Sequence, residues 1–217
     1  KELFSAVIAV YLTARKAGAA LIAGCTIVIK PSQITPENCT EFAHVVEESG
    51  LPAGVINIVT GRGSVIGNEM AGSPKVDIVS VTGSVSAGES IMKAAANNIT
   101  KVSLELGGKA PAIVFPDADL EASAQWILDS RIGNNGQICN NAERVYVHKD
   151  IKKEFTDILL RKFEAVKVGD PCKDHTVDMG PLVEKRALES VEAKVENAIK
   201  QGAKVLCGGH RVGDKGY

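Results

Sequence analysis

Short β-branched runs alternate with helix-forming segments along almost the whole chain, and glycine, proline or serine marks nearly every change. This alternation constrains the fold more than any other feature. Parallel strands need a long crossover, usually a helix, whereas antiparallel hairpins need only a tight turn. Residues 12–24 are apolar and alanine-rich and read as a helix, and 26–29 (TIVI) read as a strand stopped by Lys30-Pro31-Ser32. Thr35-Pro36-Glu37 reads as a helix start, since threonine can cap and proline suits the first turn. That helix should run to Glu48 and end at Ser49-Gly50-Leu51-Pro52. Strands are expected at 55–59, 77–81 and 102–106, with helices at 64–71 and 86–97. Beyond Gly108 the pattern predicts strands at 112–115 and 144–147, helices at 119–132, 151–163 and 186–200, and a last strand at 204–206. The fold class is therefore α/β with a mainly parallel sheet, and a boundary is expected near residues 107–109.

A chain of 217 residues can form one large domain or two small ones, and 45% hydrophobic against 24% charged residues is the balance of an ordinary folded protein. The net charge of −1 offers no electrostatic attraction to nucleic acid or to an anionic membrane, so neither is expected as a partner. The longest apolar stretch, 17–29, is interrupted by Gly24 and Thr26 and falls short of the ~18 residues a membrane span needs. The chain opens at Lys1 with Glu2 next, which reads as the interior of a longer chain rather than as a targeting segment. Its cysteines, Cys25, Cys39, Cys139, Cys172 and Cys207, are odd in number and include no C-x-x-C pair. Reduced thiols and a cytoplasmic location are the expectation.

The G-x-G-x-x-G dinucleotide fingerprint is absent: Gly61-Arg62-Gly63 is followed by Ile66 where a third glycine should stand. Thr82-Gly83-Ser84 is the better cofactor candidate. It lies between a strand and a helix, where backbone N–H groups and the positive helix end face an anion, although a plain capped loop would look the same. Lys30 and Gln33 follow a strand end, the edge at which α/β sheets bind ligands, and could equally be solvated turn residues. Glu105 interrupts an apolar strand just before Gly107-Gly108. A carboxylate there is edge-exposed, paired or held in a cleft, and partial burial would raise its pKa toward general-base work. Cys139 stands in the amide-rich segment Gly133-Asn134-Asn135-Gly136-Gln137-Ile138-Cys139-Asn140. There it is either a nucleophile among hydrogen-bond donors or a small residue tucked beneath a turn. His44 and His148 have no cysteine or acid at motif spacing, His175 and His210 stand in turn-rich stretches, and no metal site is expected.

The stretches TIVIKPS (26–32), LPAGVINIVTG (51–61), VTGSVSAG (81–88), LELGGKAPAIV (104–114) and GQICNNAERVYV (136–147) together resemble the aldehyde dehydrogenase superfamily, nearest to its bacterial lactaldehyde and glycolaldehyde members. The resemblance implies a partial aldehyde-dehydrogenase-like fold. Residues 1–107 would be the C-terminal part of a Rossmann-like NAD(P)-binding domain, and 108–217 the N-terminal part of an α/β catalytic domain. It implies oxidation of an aldehyde to the acid with NAD, NADP being possible, in a parent homodimer or homotetramer. Cys139 matches the thiol that attacks the aldehyde, and Glu105 the residue that activates water to hydrolyse the thioester. The matching cofactor contacts are Lys30, Ser32, Gln33, Gly61, Thr82, Gly83, Ser84 and Leu106; Lys109 closes the LELGGK motif without a proton-transfer role.

Three departures qualify what the resemblance implies. The family's oxyanion asparagine precedes the KPS motif, and counting back from Lys30 lands on Val7, which cannot donate that bond. Gln33 stands where many NAD-preferring members carry a glutamate that repels a 2′-phosphate. The family chain is also longer, so this segment alone is expected to be a poor catalyst. Two alternatives share the motifs. One is a CoA-acylating semialdehyde dehydrogenase, disfavoured by Glu105; the other is a non-catalytic fragment that binds only nucleotide or partner chains.

Overall fold

A computed structural model describes residues 2–217, with side chains described from Val10 onward. The chain divides into two compact units, Glu2–Gly107 and Gly108–Tyr217.

In the first unit, α1 (Glu2–Ile22) precedes β1 (Ile27–Ile29), α2 (Glu37–Glu48) and β2 (Ile56–Ile58). α1 begins well before residue 12 because nothing between Glu2 and Leu12 breaks a helix. β1 and β2 pair in parallel, Ile27 opposite Ile56 and Ile29 opposite Ile58, with α2 as the crossover. Pro36, not Thr35, occupies the N-cap of α2 and no side chain bonds there. The free N–H groups of the first turn instead have Glu37 beside them, a favourable charge at that helix end. α2 buries Cys39, whose Sγ lies 3.5 Å from Thr13 Oγ1 of α1.

The helix expected at 64–71 is split. Gly63–Gly67 forms a π-type turn and α3 (Asn68–Gly72) follows. Glycines at both ends of that turn weaken a regular helix. β3 (Ile78–Gly83) and β4 (Lys101–Leu106) then pair in parallel around α4 (Val85–Ala96), which buries Gly88, Ile91 and Ala95 on one face. Ala71, Val79 and Ile91 form the small core beneath it. A Cβ on Gly88 would lie 2.9 Å from both methyl groups of Leu106, so glycine is what lets α4 sit this close to β4.

In the second unit β5 (Ala110–Val114) and β6 (Ala142–Val147) pair in parallel, with a register shift between Ala110 and Pro111. Pro111 has no N–H to give a ladder, and such residues are confined to edges and irregular positions. α5 (Leu120–Ile132) is capped by Asp119, which accepts the Ala122 N–H at 3.0 Å. α6 (Lys152–Glu164) and α7 (Lys185–Lys200) complete the unit. Val114, Ala124, Ile127, Ile151, Phe155 and Ile158 make its core, with Phe155 fully buried. The strand expected at 204–206 does not form. Val205 and Leu206 are exposed, and β5 and β6 pair only with each other.

Among the described residues the fold is α/β, with three two-stranded parallel pairs, two in the first unit and one in the second. Among the described residues no helix is long and apolar enough to cross a membrane.

Candidate active site

Within the first unit, the C-terminal ends of β3 and β4 bring several sequence candidates together. Thr82 faces Glu105 across the pair, and Gly83 faces Leu106. Ser84 caps α4, accepting the Ala87 N–H at 3.2 Å, with its hydroxyl 3.0 Å from that of Ser86. A strand edge thus opens onto the N-terminus of a twelve-residue helix, where partial positive charge and unpaired N–H groups suit a phosphate. The β1–β2 pair forms a second such edge. Lys30 Nζ donates to the carbonyls of Pro31 and, at 3.3 Å, Gly61. Gly61 has φ +149, and a Cβ there would strike Ile66 at 2.5 Å. Ser32 Oγ accepts the Ile34 N–H at 3.2 Å within its own exposed turn, and Gln33 is exposed beside it.

Glu105 is not buried: 53% of its side chain is exposed, and Arg15 of α1 donates to its Oε1 at 3.4 Å. The alternative the structure selects is therefore an edge-exposed, ion-paired carboxylate. Its neighbour Lys16 donates to Thr82 Oγ1 at 2.9 Å. Burial pushes the Lys16 ammonium below the usual lysine range; the Glu105 charge opposes that fall and the Arg15 charge adds to it. Arg15 and Lys16 went unnoticed in the sequence, although paired cations inside an apolar helix are a readable signal. Which strand ends they reach is set only by the tertiary fold.

In the second unit Cys139 is exposed in a turn closed by the Asn141 N–H on the Ile138 carbonyl at 3.3 Å. It is presented to solvent rather than tucked beneath the turn. The preceding residues are conformationally unusual: Asn134 (φ 49, ψ 39), Asn135 (φ 56, ψ 33) and Gly136 (φ 76) are all left-handed. Asparagine tolerates that region better than most residues, since its short amide can bond locally. Asn134 Nδ2 donates to the Gln137 carbonyl at 3.3 Å, and Gln137 Nε2 returns a bond to the Asn134 carbonyl at 3.1 Å. The buried Asn141 ties the loop to the end of α5, donating to the carbonyls of Arg131 (3.4 Å) and Gly133 (3.3 Å).

The start of β5 packs directly on this loop. A Cβ at Gly108 would lie 3.2 Å from the Cys139 carbonyl oxygen, so glycine permits the approach. Lys109 is ion-paired to Glu143, whose other oxygen lies 3.6 Å from Arg131 Nη1, and Arg144 Nε donates to the Lys109 carbonyl at 2.8 Å. Lys109 is therefore a structural tie between β5 and β6, joined through residues the sequence reading had not singled out.

The chain matches the Aldehyde dehydrogenase family over residues 8–217. It is 56% identical over 207 residues to the lactaldehyde dehydrogenase of Escherichia coli strain K12, a match covering 95% of this chain and 43% of that protein. The crystal structure of the lactaldehyde dehydrogenase from Escherichia coli superposes with a TM-score of 0.94 over 96% of this chain and 44% of that one. The chain belongs to the aldehyde dehydrogenase family.

Two further relatives differ in the cofactor that their names carry. A Staphylococcus aureus betaine aldehyde dehydrogenase, solved in complex with NAD+, is 38% identical with a TM-score of 0.84, covering 88% of this chain and 38% of that one. The NADP(+) succinate-semialdehyde dehydrogenase of Escherichia coli K12 is 43% identical over 195 residues, 90% of this chain and 40% of that protein. The aldehyde dehydrogenase segment in hand thus spans less than half the length of these relatives. Val7, the position aligned by count with the family's oxyanion asparagine, has its side chain outside the described residues.

Proposed function

We propose that the protein carrying this segment oxidises a small aldehyde of the lactaldehyde or glycolaldehyde kind to its carboxylic acid with NAD(P)+. The observation that carries the reading is the exposed Cys139 in a loop tied down by the side chains of Asn134, Gln137 and Asn141, within the stretch that resembles the family's thiol motif. Its thiolate adds to the aldehyde carbon and gives a thiohemiacetal. A bound nicotinamide dinucleotide supplies the hydride acceptor that turns this adduct into a thioester. Glu105 takes a proton from water, the water attacks the thioester carbon, and the acid leaves as the thiol is restored. An exposed carboxylate at a strand end is accessible to water, and Arg15 orients it.

The strand edges fit the dinucleotide. Gly83 and Ser84 at the α4 N-terminus would receive a phosphate with Thr82 and Leu106 beside it, and Lys30, Ser32, Gln33 and Gly61, on or after the β1–β2 edge, would meet the rest of the dinucleotide. Gln33 carries no charge to repel a 2′-phosphate, which favours tolerance of NADP. In this reading residues 1–107 belong to the cofactor domain and 108–217 to the catalytic domain of a cytoplasmic homodimer or homotetramer.

The test is NAD(P)H formation by the purified protein with lactaldehyde and with glycolaldehyde. Cys139→Ala should abolish it, and Glu105→Gln should lower turnover by about 100–10,000-fold. Product appearing only when CoA is added would replace hydrolysis by acyl transfer. Full activity in Cys139→Ala would end the thiol mechanism.

A further inference from the structure

We propose that Asn135 is a positioning residue for the Cys139 thiol, acting as a tether between the thiol loop and residues 180–183. The proposal rests on the reading of Cys139 as the nucleophile. Asn134 and Asn135 are consecutive non-glycine residues in the left-handed region, a conformation that persists only where surrounding contacts hold it. The side-chain bonds of Asn134 stay within the loop, whereas those of Asn135 leave it. Asn135 Oδ1 accepts the Gly180 N–H at 3.0 Å and its Nδ2 donates to the Pro181 carbonyl at 2.7 Å.

Gln137 adds a third link, its Oε1 accepting the Val183 N–H at 3.3 Å. Residues 180–183 are held in turn from their other side. Leu182 N–H donates to the Tyr217 carbonyl at 2.6 Å, and a Cβ on Gly216 would lie 3.3 Å from Pro181 Cβ. The loop before the thiol is therefore anchored to a distant, separately bonded segment as well as to itself. Between Asn135 and Cys139 there is little slack: a Cβ on Gly136 would sit 3.0 Å from the Arg131 guanidinium, and Gln137 is bonded at both ends. Displacing Asn135 must move the backbone that carries Cys139.

Two substitutions separate the tether from backbone strain. Asn135→Gly removes both amide bonds but keeps the left-handed conformation easy; Asn135→Ala removes the bonds and adds strain. The readout is iodoacetamide alkylation of the full-length protein across a pH series, followed at each cysteine by mass spectrometry. Exposed Cys172 and Cys207 serve as references. Hydrogen exchange at α6 reports whether the core around Phe155 persists.

Both variants should change the Cys139 rate by at least about threefold and shift its pH profile, because thiol reactivity follows local environment, while the reference cysteines stay as they were. A Cys139 profile unchanged in Asn135→Gly, with α6 still protected, overturns the positioning role alone. Loss of α6 protection in both variants makes Asn135 a folding residue and also overturns it. Wild-type Cys139 matching Cys172 and Cys207 in rate and profile removes the nucleophile reading, and the proposal falls with it.

Discussion

The two units carry similar elements but bury them very differently. In Gly108–Tyr217, six buried residues, Phe155 among them, and seven partly buried ones form one core cluster. In Glu2–Gly107, the core cluster consists of Ala71, Val79 and Ile91 with four partly buried neighbours. Large apolar residues remain exposed in both units, Val28, Ile78 and Val85 in the first and Ile113, Trp126 and Tyr146 in the second, so the difference lies in the size of the buried cluster. Parallel strands are ordinarily covered on both faces, and exposed apolar residues on β1, β3, β5 and β6 mark pairs that fill only part of their burial. The unit proposed to hold the thiol has a core able to fix a strained loop. The unit proposed to hold the cofactor relies more on backbone pairing and helix caps than on packed volume.

This contrast predicts an ordering of substitutions. Phe155→Ala should cost about 3–5 kcal/mol, the range for emptying a large aromatic site, and the loss should appear in denaturation of the second unit. Ile91→Ala should cost about 2 kcal/mol, the low end for a buried isoleucine, because the cluster around it is small and can collapse. Urea melts followed by hydrogen exchange in α6 and in α4 would separate the two units. Equal losses, or a larger one at Ile91, would break the comparison.

A smaller effect is expected at Gly88, where the first unit makes its tightest approach. Alanine there gains about 1 kcal/mol of helix propensity. Its Cβ, however, meets both Leu106 methyl groups at 2.9 Å, and overpacking typically costs about 1–3 kcal/mol. We expect Gly88→Ala to be destabilising by about 1 kcal/mol and to weaken nucleotide binding through the shifted Leu106. A stabilised variant with unchanged nucleotide affinity would mean that Leu106 yields freely and takes no part in the site.

Much of this arrangement could be read before any coordinates. The alternation of strands and helices, the terminus of α2 at Glu48 and the Asp119 start of α5 all follow from local residue chemistry. The motifs around Glu105 and Cys139 carried the family. What escaped the sequence was contact between residues far apart in it. Arg15 meeting Glu105, Lys109 meeting Glu143 and Asn135 meeting Gly180 depend on how helices and strands pack, and no local pattern encodes them. The strand expected at 204–206 failed for the same reason: β-branched and apolar residues favour extension, but a strand exists only beside a partner. Glu105 illustrates the limit on chemistry. Its place in an apolar strand left edge exposure, pairing and a cleft all open, and only its position opposite Thr82, at the open end of the pair, decides between them.

The smallest predicted effect concerns charge and belongs to the second unit alone. Glu121, in the first turn of α5, pairs with Arg161 (3.0 Å) and Lys162 (3.3 Å) in the last turn of α6. Its hydrogen bond with Lys162 holds the carboxyl below its ordinary value of 4.5; burial opposes that fall, and the hydrogen bond with Arg161 adds to it. A carboxylate whose pKa is lowered on folding adds stability that is fully present above the unfolded value. That stability is lost as pH falls through the folded one. Glu121→Gln should therefore lower the Tm of this unit slightly at pH 7, and the gap to wild type should close as pH drops below 4.5. Salt should shrink the gap too, because all three side chains reach solvent. A gap that stayed constant from pH 7 to pH 3 would show that the charge of Glu121 is not what stabilises the α5–α6 junction, and its ion pairs with Arg161 and Lys162 would then carry no part of that stability.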